Sequence, residues 1–305
     1  MKIVIFGAGG IGGYFGARLA AAGCEVHFIA RGAHLDAIRK NGLRVQSQLG
    51  DLHINPALAT DNPDDVGIAD VVMLMVKLYD TENAARAMAP MVGPATMVVS
   101  FQNGVTASDV LVDAFGRDRV IGGTTNIGVK ITEPGQIDHT GTMAKITFGE
   151  LDGSLTKRTK ALLAAFEKAG CDAELSADIT ASLWAKFIFL STLSGITSLY
   201  RQPIGPIRDD PEKWQKFRHA MEETYAVAIA RGVTLAPDLV EQRLEFVCGL
   251  PAEMNSSMCF DLMAGKRLEL PWLSGAVADM GRQLAVETPT HDEFVAALTD
   301  FIDGD

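Results

Sequence analysis

Cysteine is scarce in this chain and scattered: Cys24, Cys171, Cys248 and Cys259 form no C-x-x-C pair. That spacing excludes a disulfide framework and a thiolate metal site. The 6 histidines show no ligand spacing either, so no metal is expected. No uninterrupted apolar run approaches the roughly 20 residues that a membrane-spanning helix needs. Basic residues are outnumbered, 27 Lys and Arg against 38 Asp and Glu, for a formal net charge of -11. Such a balance disfavours nucleic acid or an anionic membrane surface as partner. A secretory leader is not expected, because glycines and Arg18 interrupt the apolar stretch after Lys2. Internal repeats and low-complexity linkers are also missing. Together these absences leave a reducing, cytoplasmic setting as the expectation. What remains, 48% hydrophobic and 21% charged residues over 305 positions, suits a globular chain with two substantial cores.

The most informative stretch is Lys2 to Gly23. Lys2-Ile-Val-Ile-Phe6 is a short β-branched run that reads as a buried strand. It breaks into Gly7-Ala8-Gly9-Gly10-Ile11-Gly12, and a helical pattern follows to about Gly23. A G-x-G-x-x-G placed between strand and helix is the fingerprint of a dinucleotide site. Gly7 permits the tight turn, Gly9 lets backbone approach a pyrophosphate, and Gly12 lets the helix close on the strand. Gly10 and Ile11 open the helix, whose N–H groups and dipole face the phosphates. The second strand, Glu25 to Ala30, ends at Arg31. An NAD-preferring site wants an acidic residue here for the ribose 2′-hydroxyl. Arginine suits a 2′-phosphate instead, so NADP is the expected cofactor.

A near-continuous apolar run, Ile68 to Val76, has the composition of a central parallel strand and ends at Lys77. Another, Thr96 to Phe101, leads into Gln102-Asn103-Gly104. Open α/β sheets bind ligands at these carboxyl ends, which makes Lys77 and Asn103 candidates for contact with cofactor or substrate. Asn103-Gly104 is also a plain turn signal. From Val120 to Gly149 the pattern predicts short antiparallel strands, with turns at Glu133-Pro134-Gly135 and Thr140-Gly141. His139 within them reads as structural. Ser154 to Ala169 is helical and Cys171 to Leu175 is a last strand.

Beyond Ala177 the periodicity is helical, with Asp178 and Asp209-Asp210-Pro211 as helix starts, a short helix over Ser256 to Ala264, another from Pro271, and a capping box of Thr290 with Glu293. The fold class is therefore α/β. A Rossmann-type doubly wound sheet with appended antiparallel strands fills residues 1–176, and an all-helical substrate-binding domain fills 177–305.

Lys186 is the unusual charge of the second half, set among Leu183, Trp184, Phe187, Ile188, Phe189 and Leu190. Burial disfavours an ammonium and lowers its pKa toward a useful range. A lysine so placed serves as general acid to a carbonyl oxygen, unless it snorkels to solvent.

With Gly7 to Gly12, Arg31, Lys77, Asn103-Gly104, Leu183-Trp-Ala-Lys186, Ser256-Ser257-Met258 with Asp261, and Glu269 in this order, nearly the whole chain resembles the ketopantoate reductase (2-dehydropantoate 2-reductase) family. The resemblance implies an enzyme of pantothenate biosynthesis with an active site in a cleft, which reduces 2-dehydropantoate to pantoate with NADPH. It implies that Lys186 protonates the keto oxygen and that Glu269 interacts with the lysine and a substrate hydroxyl. Ser257 would hold the substrate carboxylate, and Asn103 would contact the nicotinamide end or the substrate. Family members commonly carry asparagine four and eight residues after this lysine and three before the serine. Here Leu190, Ser194 and Met254 stand there. Ser194 remains a substrate-side candidate, and the changes open the alternative of a paralogue reducing another branched 2-oxo acid. A second alternative is a catalytically silent NADP-binding regulatory module. The helical half offers surfaces for a homodimer.

Overall fold

A computed structural model describes residues 1–304. The chain divides into two compact units, one of Met1–Gln102 with Ala107–Ile179, the other of Asn103–Thr106 with the residues from Thr180 onward.

The first unit is built on a ten-stranded sheet. Its strands are β1 (Lys2–Phe6), β2 (Glu25–Ile29), β3 (Leu43–Ser47), β4 (Leu52–Ile54), β5 (Leu58–Thr60), β6 (Val71–Leu74), β7 (Met97–Ser100), β8 (Val120–Glu133), β9 (Gln136–Glu150) and β10 (Asp172–Leu175). The helices are α1 (Gly10–Ala21), α2 (Gly32–Asn41), α3 (Thr81–Met88), α4 (Ala107–Phe115) and α5 (Lys157–Lys168). Strands β5-β2-β1-β6-β7-β8 run parallel in that spatial order, which is the doubly wound arrangement whose order reverses beside the first strand. Alternate β1 side chains feed two cores. Ile3 and Ile5 pack with Tyr14, Phe15 and Leu19 of α1 and with Phe166 of α5. Val4 and Phe6 pack with Ala84 and Met88 of α3 and Leu111 of α4. Burial on both faces explains why β6 is apolar throughout and β7 apolar up to its last residue, Ser100.

The appended strands differ from the pattern's expectation. A single long hairpin, β8 with β9, replaces several short strands. Pro134-Gly135 makes its turn, but Thr140-Gly141 does not end a strand. The register slips there between Ile127 and Val129, and residues 140–143 bulge out. His139 is buried beside the bulge, where its Nε2–H donates to the Met143 carbonyl at 3.0 Å and its Nδ1 accepts from the Ser47 hydroxyl at 2.8 Å. Its role is structural.

The second unit is helical: α6 (Ile179–Tyr200), α7 (Ile204–Arg208), α8 (Pro211–Ala230), α9 (Leu239–Cys248), α10 (Ser257–Met263), α11 (Ser274–Leu284) and α12 (Pro289–Leu298). Ile188, Leu193 and Ile196 of α6 pack with Phe217 and Met221 of α8, Leu244 and Val247 of α9 and Phe294 of α12. By length and a mean hydropathy of 1.4, α6 alone among the described helices could cross a membrane, although no uninterrupted apolar run marks it. More than half of that window is buried within the protein, and its role as central helix of this core accounts for the hydropathy.

Asp210 caps α8 by accepting from the N–H groups of Glu212 and Lys213 at 3.0 and 3.2 Å, with Pro211 in the first turn. Two other starts depart from the sequence pattern. Pro271 opens a 3-10 turn, Leu270–Trp272, and α11 begins only at Ser274. Thr290 and Glu293 form no capping box. The N–H groups of Thr290 and His291 donate to the two carboxylate oxygens of Glu223 on α8, at 2.8 and 3.1 Å, while Glu293 pairs with Lys216. A carboxylate from a packed neighbour supplies two acceptors and a full charge to the helix dipole, and this outcompetes a hydroxyl from within the helix. Glu223→Ala is therefore expected to cost about 1–2 kcal/mol of unfolding free energy. Glu293→Ala, which removes a surface pair, should cost at most about 0.5 kcal/mol. Chemical denaturation of the two variants checks the difference.

Candidate active site

In the first unit the loop after β1 is the best-defined ligand cradle. Gly7 has φ +106°, open to glycine, and a β-carbon there would lie 2.8 Å from the Met75 backbone. The N–H groups of Gly7 and Ala8 both donate to the Ile29 carbonyl, at 3.2 and 2.9 Å, which ties the loop to the end of β2. A β-carbon on Gly12 would sit 2.2 Å from the Gly7 carbonyl oxygen and 2.7 Å from Ile5, so α1 rides directly against β1. A β-carbon on Gly9 would meet nothing within 4 Å. The space in front of Gly9 is thus open, and the unpaired N–H groups of the first turn of α1, where Gly10 and Ile11 stand, border it. That cradle fits a pyrophosphate.

Arg31 follows β2 and stands exposed at the N-cap position of α2. Lys77 follows β6 and begins the 3-10 turn Leu78–Asp80, half-buried. Both lie at the carboxyl edge of the parallel strands, flanking the reversal point between β1 and β6.

Two residues of this edge carry no signature in the sequence. His34 bridges the cradle to the hairpin turn: its Nε2–H donates to the Ala8 carbonyl at 2.9 Å, and its Nδ1 accepts from the Gly135 N–H at 3.0 Å. Burial lowers its pKa, in keeping with the neutral ring that this bonding requires. Gln102 is buried. Its Oε1 accepts from the Ser100 hydroxyl at 2.9 Å, and its amide N–H groups donate to the Val76 carbonyl and the Thr81 hydroxyl at 3.0 and 2.9 Å. The side chain thereby staples the end of β7 to the turn that carries Lys77. Neither contact shows in a local pattern, because Ala8 and Gly135 for His34, and Val76 and Thr81 for Gln102, are distant in the chain.

In the second unit, Lys186 of α6 donates from Nζ to Oδ1 of Asn103 at 3.0 Å. The residue is half-buried, and desolvation of its ammonium pulls the pKa down from 10.5 to about 8. With Oδ1 turned to the lysine, the amide N–H groups of Asn103 point elsewhere. Gly104 follows with φ +88° and turns the chain. Asn103 and Lys186 are thus brought together as one hydrogen-bonded pair, which the separate readings of the two residues did not contain.

Leu190 and Ser194 follow Lys186 at four-residue spacing, so all three share one face of α6. Ser194 is buried, and its Oγ has no partner among the described residues. By contrast, Ser191 and Thr197 bond back to the carbonyls of Phe187 and Leu193. Glu269 is buried too, directly before the 3-10 turn, rather than lying on the solvated surface. Ser257 is exposed at the first position of α10 and does not cap it. The cap is Ser256, which accepts from the Cys259 N–H at 3.0 Å and bonds Thr197 at 2.8 Å. Met254 packs on the helical core.

Comparison with known proteins agrees with this architecture. Residues 3–153 match the family model described as ketopantoate reductase PanE/ApbA, and residues 178–301 match its C-terminal counterpart. A 2-dehydropantoate 2-reductase of Mesorhizobium japonicum is 33% identical over 98% of this chain and 97% of its own length. An uncharacterized oxidoreductase of Bacillus subtilis, YkpB, is 29% identical over 98% of both chains. The crystal structure of a ketopantoate reductase from Ralstonia eutropha superposes with a TM-score of 0.91 at 32% identity, covering 99% of this chain and 98% of that one. With both halves matched, in sequence and in fold, the chain belongs to the ketopantoate reductase family and is a nicotinamide-dependent oxidoreductase acting on an oxo acid.

Proposed function

We propose that this protein reduces 2-dehydropantoate to pantoate with NADPH, in a cytoplasmic setting, and that Lys186 is the general acid. The observation that carries the proposal is the desolvated ammonium of Lys186, held by Asn103 at 3.0 Å with a pKa of about 8. NADPH, when bound, supplies the hydride for the carbonyl carbon. Gly7, Gly9, Gly10, Ile11 and Gly12 would hold its pyrophosphate, Arg31 its 2′-phosphate, and Lys77 would meet it at the same sheet edge. As the carbonyl oxygen gains negative charge, Lys186 releases its proton to that oxygen. A pKa near 8 keeps the lysine charged at neutral pH yet makes it a far better acid than an exposed one. Asn103 orients the ammonium through Oδ1 and offers its amide N–H groups to the carboxamide or the substrate. Glu269 would accept from a substrate hydroxyl, and Ser257 would donate to the carboxylate. Ser194 brings an unpaired hydroxyl to the face that Lys186 shares.

That face favours one other reading. Leu190 stands between Lys186 and Ser194, and it suits a branched 2-oxo acid with fewer hydroxyl groups. The chemistry is the same in both cases, and 2-dehydropantoate compared with 3-methyl-2-oxobutanoate separates them by kcat/KM.

NADPH oxidation with either acid is expected to fall about 100-fold or more in Lys186→Ala. Undiminished turnover would remove the lysine from the mechanism, and no turnover by the unaltered protein would favour a silent NADP-binding module. The sign of the pH dependence follows from the charged form being the acid. The reductive kcat/KM should hold below about pH 8 and then fall as pH rises and the ammonium titrates; a profile flat to pH 10 contradicts it. Arg31→Ala should lower the preference for NADPH over NADH by about 10-fold or more, read from kcat/KM with each cofactor.

A further inference from the structure

His34, in the first turn of α2, holds one peptide of the cradle in place. Among the described residues it is the single hydrogen-bond donor to the Ala8 carbonyl, from Nε2 at 2.9 Å. That carbonyl belongs to the Ala8–Gly9 peptide, which is trans. A trans peptide is planar, with its carbonyl and its N–H pointing opposite ways. The bond that fixes the Ala8 oxygen therefore fixes the direction of the Gly9 N–H. This N–H has no acceptor among the described residues. It stands directly before the unpaired donors of the first turn of α1. Little else restrains the peptide. A β-carbon on Gly9 would meet nothing within 4 Å, and glycine offers no steric resistance to turning the peptide over.

The neutral ring can donate to Ala8 in one tautomer alone, and a residue far along the chain selects it. The Gly135 N–H donates to Nδ1 at 3.0 Å. A ring nitrogen that accepts from a backbone amide carries no proton, so the proton of the neutral ring sits on Nε2, facing Ala8. Gly135 is held in its turn. It is buried at φ +81°, its carbonyl accepts from the Arg44 N–H at 2.9 Å, and a β-carbon there would press on Ala37 at 3.1 Å. Charged residues of the surrounding elements leave the ring alone. Arg31 on α2, Glu133 and Asp138 on the hairpin and Arg44 on β3 make neither ion pair nor hydrogen bond with it. The hairpin also rests on the helix behind the cradle, since a β-carbon on Gly10 would lie 3.1 Å from Val129 and one on Gly13 would overlap Ile137.

On the reading of the cradle as the cofactor's pyrophosphate site, we infer that His34 is a positioning residue for the cofactor. It aims the Gly9 N–H at the pyrophosphate, and the hairpin turn at Gly135 sets the tautomer that lets it do so. Glutamine and methionine are alike in length, but only glutamine carries a donor beside an acceptor, as neutral imidazole does. The test titrates NADPH by calorimetry into the unaltered protein, His34→Gln and His34→Met. His34→Met should bind about 10-fold more weakly, and His34→Gln within about threefold of the unaltered protein. Equal affinity in all three, or an equal loss in both variants, overturns the assignment. A merely structural histidine would lower the melting temperature of the variants without separating them in affinity. If His34→Met does not fold, amide exchange in the unaltered protein decides. Coupling is reciprocal, so a bond that strengthens NADPH binding is itself strengthened by NADPH. Saturation with NADPH should slow exchange of the Gly135 N–H about 10-fold more than that of the Gly153 N–H, which bonds the Glu150 carbonyl at the opposite end of β9. Equal slowing of the two amides overturns the assignment. If the unaltered protein does not bind NADPH, the cradle reading fails and the role of His34 with it. Binding that both substitutions leave alone keeps that reading and removes only His34.

Discussion

A single charge-assisted hydrogen bond organises the candidate site: the Lys186 ammonium to the Asn103 amide oxygen, between residues 83 positions apart. Bonds to charged groups contribute about 1.5–3 kcal/mol, enough to hold a short loop in place. The four residues Asn103–Thr106 group with the helical unit although the chain on both sides of them belongs to the sheet unit. The bond ties Asn103 to α6 of that unit, and Gly104 turns the chain directly after it at φ +88°. The bond also divides labour within one side chain, since the amide uses its oxygen for the lysine and keeps its two donors for other work.

The sheet unit carries its ligand cradle on backbone, whereas the helical unit carries the Lys186–Asn103 pair. The cradle at Gly7–Gly12 is tightly backed by α1: the hydrogens of Gly12 are all that fits between the helix, the Gly7 carbonyl and Ile5. Gln102 and His34 extend the rigidity sideways by buried hydrogen bonds, to the turn that bears Lys77 and to the hairpin turn at Gly135. Preorganisation of this kind leaves little to be ordered when a ligand arrives.

Much of this was legible in the sequence, for a physical reason. Strands buried on both faces are nearly continuous apolar runs, so β1, β6 and β7 announce themselves. A helix that touches a strand must lose its side chains at the contact, so the glycines do too. Lys186 stands out because a charge in an apolar helix demands a cause. The features that stayed hidden depend on partners far away in the chain. Glu223 caps α12 from 67 residues away, and His34 meets Gly135 across 101. Local patterning made the opposite mistakes as well, reading a capping box into Thr290 and Glu293 and a turn into a bulge at Thr140.

The borrowed cap on α12 has a consequence for how the protein comes apart. A helix that ends its first turn with its own serine or aspartate can persist by itself for a time, whereas α12 owes its beginning to a carboxylate on α8. The two helices therefore form one cooperative unit of unfolding. Amide protons of Thr290 and His291 exchange only when α8 lets go, and α12 completes its first turn only against a neighbour already in place.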